Sequence, residues 1–332
     1  MNELIFRQAA SSSDAAQLNS QAGANLLAGG TTQLDLMKCG VFTPSSLVSI
    51  LDLPKLDQIE FTDSGIKIGA LVKMSQLADH PQCERLAPAI WGSLTQAASS
   101  QIRNMATLGG NLRQRTRCTY FRDPETFSAC NKRNPGSGCA AMGGINRNHA
   151  ILGTSDSCIA TYPGDFAVAL TAFDADIVLT NAAGDERRVH VDDFFLLPGD
   201  TPHLEHAIAA DEIITAIDIP ASSLNVLAHS TYLKVRDRAS YEFAAASAAV
   251  GITVVDGVIE DIRIALGGVA TKPWRARAVE QALIGQPFDE QLIAQAAQLV
   301  VNDAKPQHDN RFKIILAPRV ITRAVMAAGE VS

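Results

Sequence analysis

Short apolar runs alternate with turn residues along the chain, and their spacing predicts a succession of strands and helices. The first 53 residues predict a β-α-β-α-β unit, because strand-like runs frame two stretches with helical spacing. In chain order these stretches are ELIFRQ, SSDAAQLNSQAG, NLL, TTQLDLMK and SSLVSI. We expect this unit to form an N-terminal subdomain, residues 1–53.

Beyond Pro54 the hydrophobic pattern predicts both strands and helices. Two strands are predicted around the turn Asp63-Ser64-Gly65, followed by a helical stretch, ERLAPAIWGSLTQAAS. Residues 112–162 show neither a helical nor a strand period and are predicted to be loop. A helix and a strand in GDFAVALTAFDADIVLT, a hairpin in NAAGDERRVHV and a strand ending at Pro220 complete a second subdomain, residues 54–222.

A domain boundary is predicted between Ser222 and Ala228. After it, strands that meet at the turn Asp256-Gly257 and three helical stretches predict a smaller unit over residues 228–330. The predicted fold class is α+β, with two domains.

The composition is that of a folded globular chain. Of the 332 residues, 47% are hydrophobic and 19% are charged, and the formal net charge is −7, which argues against nucleic-acid binding. No run of 18 apolar residues predicts a membrane span, and the first residues lack the basic and apolar regions of a signal peptide. Six cysteines in a chain of this length do not predict a disulfide scaffold.

Residues 101–150 differ from the rest in charge. They hold eight basic and two acidic residues, so this segment carries about +6 and the remainder of the chain about −13. A solvated basic loop is one interpretation. The other is that the segment holds an anionic group, such as a phosphate or a thiolate cluster.

Two Gly-Gly turns carry candidate ligand chemistry. In LLAGGTTQL, residues 26–34, an apolar strand runs into Gly29-Gly30 and two threonines open a helix; the second turn lies in NMATLGGNL, residues 104–112. Glycine lets a backbone approach a ligand closely, and the free N–H groups of a helix start favour phosphate. A plain strand–turn–helix with a hydroxyl cap would explain either turn alone. Two such turns suggest a ligand with a pyrophosphate and other polar parts.

Four cysteines lie in or beside the irregular segment: Cys118, Cys130, Cys139 and Cys158. Four thiolates can hold a tetrahedral zinc ion or an iron–sulfur cluster. Zinc sites usually contain closely spaced cysteine pairs, so the wide spacing here favours a cubane cluster, with scattered buried cysteines or a disulfide as alternatives. Cys39 and Cys83 lie in more regular segments and are predicted to be small buried hydrophobic residues.

Motifs along the whole chain resemble the flavoprotein subunit of the xanthine dehydrogenase family of molybdenum hydroxylases. They are LLAGGTTQLDLMK, IRNMATLGGNL, TYPGDFAVAL, YLKVRDRASYEFA and ALGGVATKPWRA. The stretch QRTRCTYFRDPETFSACNKRNPGSGCAA, with CIATYPGD after it, is similar to the FAD subunit of bacterial periplasmic aldehyde oxidoreductases, in which an inserted loop holds a [4Fe-4S] cluster. The resemblance implies a PCMH-type (vanillyl-alcohol oxidase-like) FAD-binding domain over residues 1–222, with the cluster insert at 112–162. It also implies a C-terminal domain like that of the CO dehydrogenase flavoprotein over residues 228–330.

The same resemblance implies the site residues. The four insert cysteines would be the cluster ligands. The implied FAD contacts are Leu26, Leu27, Ala28, Gly29, Gly30, Thr31, Thr32, Gln33 and Leu34 at the pyrophosphate, Thr107, Gly110 and Asn111 along the cofactor, Asp165 at its polar end, and Lys234 near its isoalloxazine ring.

The resemblance further implies a chemistry that cofactors carry out, with no catalytic side chain in this chain. Substrate would be oxidised at a molybdenum cofactor on a large subunit. Electrons would then pass through [2Fe-2S] clusters on a small subunit to FAD and an external acceptor. The expected function is that of the electron-transfer flavoprotein subunit of a heterotrimeric aldehyde oxidoreductase, which converts an aldehyde and water to a carboxylic acid. A periplasmic location would require co-export on a partner's signal; without one the location would be cytoplasmic.

Three alternatives stay open at this level. The chain could be the FAD/[4Fe-4S] subunit of an enzyme like 4-hydroxybenzoyl-CoA reductase, whose cluster insert has a different cysteine spacing. It could be a binding module with a structural zinc ion and no redox role. It could also be a self-sufficient flavin oxidase of the wider fold superfamily.

Overall fold

A small parallel sheet opens the fold. The computed structural model describes residues 3–330, and its first three strands are ordered β1-β3-β2, with a helix in each crossover. These elements are β1 (Ile5–Gln8), α1 (Ser12–Asn19), β2 (Ala24–Leu27), α2 (Gln33–Lys38) and β3 (Ser46–Ser49). The predicted β-α-β-α-β order is therefore confirmed.

Helix α1 joins this sheet to the rest of the molecule. The Ser11 hydroxyl accepts the N–H of Asp14 at 3.1 Å, which defines where the helix begins. Ala15 and Ala16 are completely buried, and their small side chains allow the helix to pack closely. Their apolar cluster also contains Leu71 and Ile213, so the small sheet and the next one share a core.

The second sheet has five antiparallel strands in the order β4-β5-β8-β6-β7. They are β4 (Ile59–Thr62), β5 (Gly65–Gly69), β6 (Asp176–Asn181), β7 (Glu186–His190) and β8 (Glu212–Pro220). Between β5 and β6 run α3 (Met74–Ala78), α4 (Cys83–Leu86), α5 (Pro88–Thr95), α6 (Ser100–Arg103), α7 (Leu108–Leu112), α8 (Thr119–Arg122) and α9 (Asp165–Ala172), and α10 (Val191–Phe194) follows β7.

Helix α9 is the centre of the main core. Every one of its eight residues is buried, in agreement with a sequence that is apolar almost all round, DFAVALTA. It packs between α5 and the strands of the third sheet. Its polar first residue, Asp165, is therefore carried into the interior.

The third sheet is antiparallel, with the order β12-β11-β10-β9. Helix α11 (Ala221–Ala228) leads into β9 (Ser230–Val235), β10 (Ala246–Val255), β11 (Val258–Gly267) and β12 (Trp274–Arg275), and then α12 (Arg277–Leu283), α13 (Glu290–Ala297), a 3-10 turn (Gln298–Val301) and α14 (Phe312–Gly329) follow. Strand β10 is buried on both faces, since Ala248 and Val250 contribute to the C-terminal core and Ala249 to the main core.

The α+β fold class is confirmed, and one local prediction needs correction. The helical stretch after residue 83 is two helices, because Ala87 has an extended φ of −144° and precedes Pro88, which begins α5. The domain boundary between Ser222 and Ala228 stays a prediction; the segment forms helix α11, whose Val226 and Leu227 lie in the main core.

The segment between α7 and α9 is irregular, as predicted, apart from the one-turn helix α8. Its far end is anchored to the C-terminal unit. The N–H of Ile151 donates to the carbonyl of Val269 at 2.9 Å, and Ile151 and Leu152 lie in the C-terminal core. None of the helices in the described part of the chain has the length and apolar character that a membrane crossing requires.

Candidate functional site

A cavity of about 550 Å³ lies between the N-terminal sheet and the five-stranded sheet. Both Gly-Gly turns reach it, although they are far apart in sequence. The predicted cofactor residues that line it are Leu26, Ala28, Gly29, Gly30, Thr31, Thr32, Gln33, Thr107 and Gly110. The tertiary structure thus brings the two predicted turns to one site.

The first turn presents free backbone donors. It links β2 to α2, and Gly30 has a φ of +72°, a conformation that glycine adopts without strain. The N–H groups of Gly30, Thr31 and Thr32 donate to no other described backbone group. Thr32 precedes α2 without forming a side-chain cap. Free N–H groups at a glycine turn and helix start favour a phosphate.

The two turns approach each other too closely for a side chain at Gly29. A Cβ there would lie 1.9 Å from the carbonyl oxygen of Met105. The second turn is held by its own hydrogen bonds: the Thr107 hydroxyl accepts the N–H of Gly110 at 3.3 Å, and the N–H of Gly109 donates to Ala70 at 2.8 Å. The second turn therefore has a defined position against the first.

Unpaired polar atoms around the cavity fit a cofactor with several polar groups. The Gln33 amide nitrogen, which is buried in the cavity wall, has no partner among the described residues. Neither does the side-chain oxygen Oδ1 of Asn111, which follows the lining residue Gly110 in α7. Buried polar groups are rarely left unpaired in native proteins. Together with the free amides of the first turn, they match the donors and acceptors that a dinucleotide such as FAD offers.

Arg113 is a cation that the sequence predictions did not place. It lines the cavity just after α7, and no side chain among residues 3–330 forms an ion pair or hydrogen bond with it. Solvent reaches it through the cavity, yet enough protein surrounds the guanidinium that burial lowers its pKa. Glu212 in the same wall does not neutralise it, because that carboxylate is paired with Arg187 at 2.5 and 2.8 Å.

Five predicted cofactor residues do not line the cavity: Leu27, Leu34, Asn111, Asp165 and Lys234. Asp165 and Lys234 meet in the interior, where the Lys234 ammonium donates to the carboxylate at 2.8 Å. The Tyr232 hydroxyl donates to the same carboxylate at 2.7 Å. Burial raises the pKa of Asp165 and the Lys234 charge opposes that rise. Their role as FAD contacts stays a prediction.

Several lining residues were missed at the sequence level: Thr43, Pro44, Arg113, Arg115, Ile208, Ile213 and Ile214. The two arginines follow the second Gly-Gly turn directly, so the basic charge of that segment was a usable signal. The isoleucines come from β8 and the loop before it. No local pattern marks them, because sheet pairing alone brings them to the cavity.

The four insert cysteines are free thiols that lie near one another. Cys130 and Cys139 lie opposite each other in an antiparallel bridge. Burial, with the neighbouring Cys130 and Cys158, raises the pKa of Cys118 to about 12. Burial also raises the pKa of Cys158; Lys132 lowers it, while Cys139 and Cys130 raise it further. The four sulfurs are thus close enough to influence one another's ionisation.

Cations surround this group of thiols. Lys132 lies in the loop between Cys130 and Cys139, and burial lowers its pKa to about 8. The His149 ring nitrogen is 3.2 Å from the Cys118 sulfur, and the Lys313 ammonium donates to the His149 carbonyl at 3.0 Å. Buried thiols beside cations fit an anionic cluster, which such charges stabilise.

The side chains do not form a mononuclear metal site. Within residues 3–330, no group of three or more His, Cys, Asp or Glu side chains is placed to hold one metal ion. The corners of a cubane cluster are spread more widely than the ligands of a single ion.

Of the two other thiols, Cys83 is buried as predicted. Cys39 is only half-buried and accepts a hydrogen bond from Arg122 at 3.6 Å, so the prediction was wrong for this residue.

Known proteins resemble this chain over nearly its whole length. The family described as FAD binding domain in molybdopterin dehydrogenase matches residues 3–222, and the CO dehydrogenase flavoprotein C-terminal domain matches residues 231–327. The aldehyde oxidoreductase FAD-binding subunit PaoB of Escherichia coli K12 is 44% identical over 92% of each chain. The glyceraldehyde dehydrogenase medium chain of Sulfolobus acidocaldarius is 27% identical over 86% of this chain and 82% of its own.

Solved structures of related enzymes contain chains with the same fold. The structure of carbon monoxide dehydrogenase from Hydrogenophaga pseudoflava contains a chain that is 25% identical, with a TM-score of 0.76 over 99% of this chain and 98% of that one. A cavity between two Gly-Gly turns, matches to both domain families and a relative of 44% identity all lead to the same assignment. The chain belongs to the FAD-binding subunits of the xanthine dehydrogenase family of molybdenum hydroxylases.

Proposed function

We propose that this chain is the electron-transfer flavoprotein subunit of a molybdenum-dependent aldehyde oxidoreductase, which converts an aldehyde and water to a carboxylic acid. The observation that carries the proposal is the combination, in one chain, of a cavity that fits FAD with four neighbouring thiols. The 44% identity to an aldehyde oxidoreductase FAD-binding subunit supports the substrate class. The partners would be a small subunit with [2Fe-2S] clusters and a large subunit with the molybdenum cofactor, in a heterotrimer.

The residues of the cavity would bind and orient FAD. The free N–H groups of Gly30, Thr31 and Thr32 would receive its pyrophosphate, and the unpaired Arg113 would neutralise part of that charge. FAD accepts electrons singly and releases them singly or in pairs, so it links one-electron clusters to a final acceptor. No residue of this chain is assigned to substrate oxidation.

The insert would hold a [4Fe-4S] cluster through Cys118, Cys130, Cys139 and Cys158. Lys132 and Arg115 would offset part of the negative charge of a four-thiolate cluster. A structural zinc ion is the competing occupant, and it would need a mononuclear ligand group that residues 3–330 do not show.

Composition of the purified chain separates the remaining alternatives. One FAD with four irons and four sulfides supports the proposal, whereas one zinc and no colour supports a binding module. A yellow chain that oxidises aldehydes alone would be a self-sufficient flavin oxidase. Reductive removal of the ring hydroxyl from 4-hydroxybenzoyl-CoA by the assembled complex, with release of water, would indicate an enzyme like 4-hydroxybenzoyl-CoA reductase. The periplasmic location by co-export stays a prediction, which cell fractionation of the assembled complex tests.

Arg113→Gln should weaken FAD binding about 10- to 100-fold, because a charge-assisted hydrogen bond to phosphate contributes about 1.5–3 kcal/mol. The measurement is the dissociation constant of FAD for the apo-chain, from quenching of flavin fluorescence. ADP, which keeps the pyrophosphate, should lose affinity in parallel. Arg319→Gln, an exposed arginine on α14, is the matched control. Unchanged FAD affinity in Arg113→Gln would remove this residue from the site.

Gly30→Val should abolish FAD binding. A branched side chain is strained at a φ of +72° and would enter the path of the pyrophosphate. Gly257→Val is the control, because its φ of +78° imposes the same strain in a turn with open space around it. Flavin content per chain after purification decides the matter; a full complement in Gly30→Val would show that the turn is wrongly assigned.

Cys130→Ser and Cys139→Ser should each lower the iron content and destabilise the insert, since metal-binding free energy contributes to folding. Cys39→Ser and Cys83→Ser should retain the iron of the unmodified chain. Iron and acid-labile sulfide are measured per mole of protein. Equal iron loss from all four variants would contradict the ligand assignment.

The isolated chain should oxidise no aldehyde and should co-purify with both partner subunits. Co-expression of the three chains, size-exclusion chromatography and analysis for molybdenum, iron and flavin test the proposed function as a whole. A three-chain complex with aldehyde-dependent reduction of an artificial acceptor is the expected result. Elution of this chain alone, with the other two subunits folded and present, would overturn the proposal.

A further inference from the structure

We propose that the cysteine insert and the flavin cavity are thermodynamically coupled through Arg115, so that a cluster on the four cysteines raises the affinity of the cavity for FAD. This inference rests on the proposed function, because it requires both FAD and a metal cluster on this chain. Arg115 acts as a positioning residue between the two sites, and the coupling concerns binding.

Arg115 belongs to both sites at once. It lines the cavity beside Arg113, and its guanidinium carbon is 5.5 Å from the ring centre of Phe42, another lining residue. The same guanidinium carbon is 5.0 Å from the ring centre of Phe121, which lies in α8 within the insert. A planar cation between two rings has a restricted orientation. Displacement of α8 would therefore displace a group in the cavity wall.

A shared carboxylate holds the same arginine from the insert side. Glu205 forms an ion pair with Arg115, and its other oxygen accepts a hydrogen bond from the Lys132 ammonium at 2.7 Å. Lys132 lies between Cys130 and Cys139, and it also donates to the carbonyl of Pro202 at 2.9 Å. The chain of contacts Lys132–Glu205–Arg115 therefore runs from the cysteine loop to the cavity. It is largely buried, so solvent screens it weakly.

Apolar packing reinforces the connection. Cys130, Phe121 and Leu36 form a small core, with Val41, Phe42 and Cys118 packed against it. Val41 and Phe42 line the cavity, so two of the thiols and two wall residues share one packed cluster. Packed interiors transmit displacement because they contain little free volume.

The sign of the coupling follows from this arrangement. Without a cluster, backbone hydrogen bonds around Cys130 and Cys139 and the contacts of Arg133 with the carbonyls of Tyr120 and Phe121 hold the loop to itself and to α8. The thiols then add no bonds of their own, and Lys132 has more freedom to withdraw from Glu205. With a cluster, the loop, Glu205 and Arg115 are held in the arrangement that shapes the cavity. Coupling between two binding sites is reciprocal, so FAD should stabilise the cluster by the same factor.

A double-mutant cycle on the full chain tests the proposal. Cys139→Ser removes one predicted ligand without touching the core that contains Phe42, and iron analysis verifies loss of the cluster. We expect the dissociation constant of FAD to rise about tenfold, within the usual range of coupling between sites. In the background of Glu205→Gln, the Cys139→Ser change should raise the dissociation constant of FAD less than about threefold. Cys83→Ala, a buried thiol outside the insert, is the control and should leave FAD affinity unchanged.

A second measurement needs no cysteine variant. Iron release to a chelator is followed by absorbance in the unmodified chain and in Glu205→Gln, each with and without saturating FAD. FAD should slow the release in the unmodified chain and have little effect in Glu205→Gln. Equal FAD affinity with and without the cluster, or an effect of full size that persists in Glu205→Gln, would overturn the coupling. Absence of FAD or iron from the unmodified chain would instead refute the proposed function.

Discussion

The backbone contact between the two Gly-Gly turns is the constraint on which the cavity depends. At Gly29 the chain passes so near the carbonyl of Met105 that no Cβ fits between them. This contact brings the turn after β2 against the segment that leads into α7. The hydrogen bonds of Leu108 and Gly109 to Val72 and Ala70 then fix that segment on the five-stranded sheet. A parallel β-α-β unit and an antiparallel sheet thereby enclose one cavity.

Charge is distributed to suit anionic groups at two adjacent places. The unpaired Arg113 faces the cavity, and Lys132 lies beside the thiols. Arg115 stands between them, where burial and Arg113 lower its pKa to about 10, with Cys130 opposing that change. Since Glu205 is the shared partner of Arg115 and Lys132, the region retains positive charge. Glu205 offsets one of these three positive charges, and the remaining charge favours bound anions in both places.

Buried polar contacts join the C-terminal unit to helix α9 and to the end of the cysteine insert. Tyr232 and Lys234 of β9 both donate to Asp165 at the start of α9, so the third sheet is bonded to the central helix. Lys313 of α14 reaches the carbonyls of His149 and Gly268 at 3.0 and 2.6 Å. Removing one member of such a buried group leaves another unpaired, and this makes the relative position of the units specific.

Local pattern alone determined much of this protein. The N-terminal β-α-β-α-β order, both Gly-Gly turns, the irregular insert and its four cysteines could all be predicted, because turn residues, periodicity and resemblance act over short stretches of sequence. Tertiary structure decided the rest. The places of Ile213 and Ile214 in the cavity wall depend on sheet pairing, and the burial of Asp165 against Lys234 depends on the packing of α9 against the third sheet. The position of Arg115 between Phe42 and Phe121 joins segments distant in sequence, so no local pattern could reveal it.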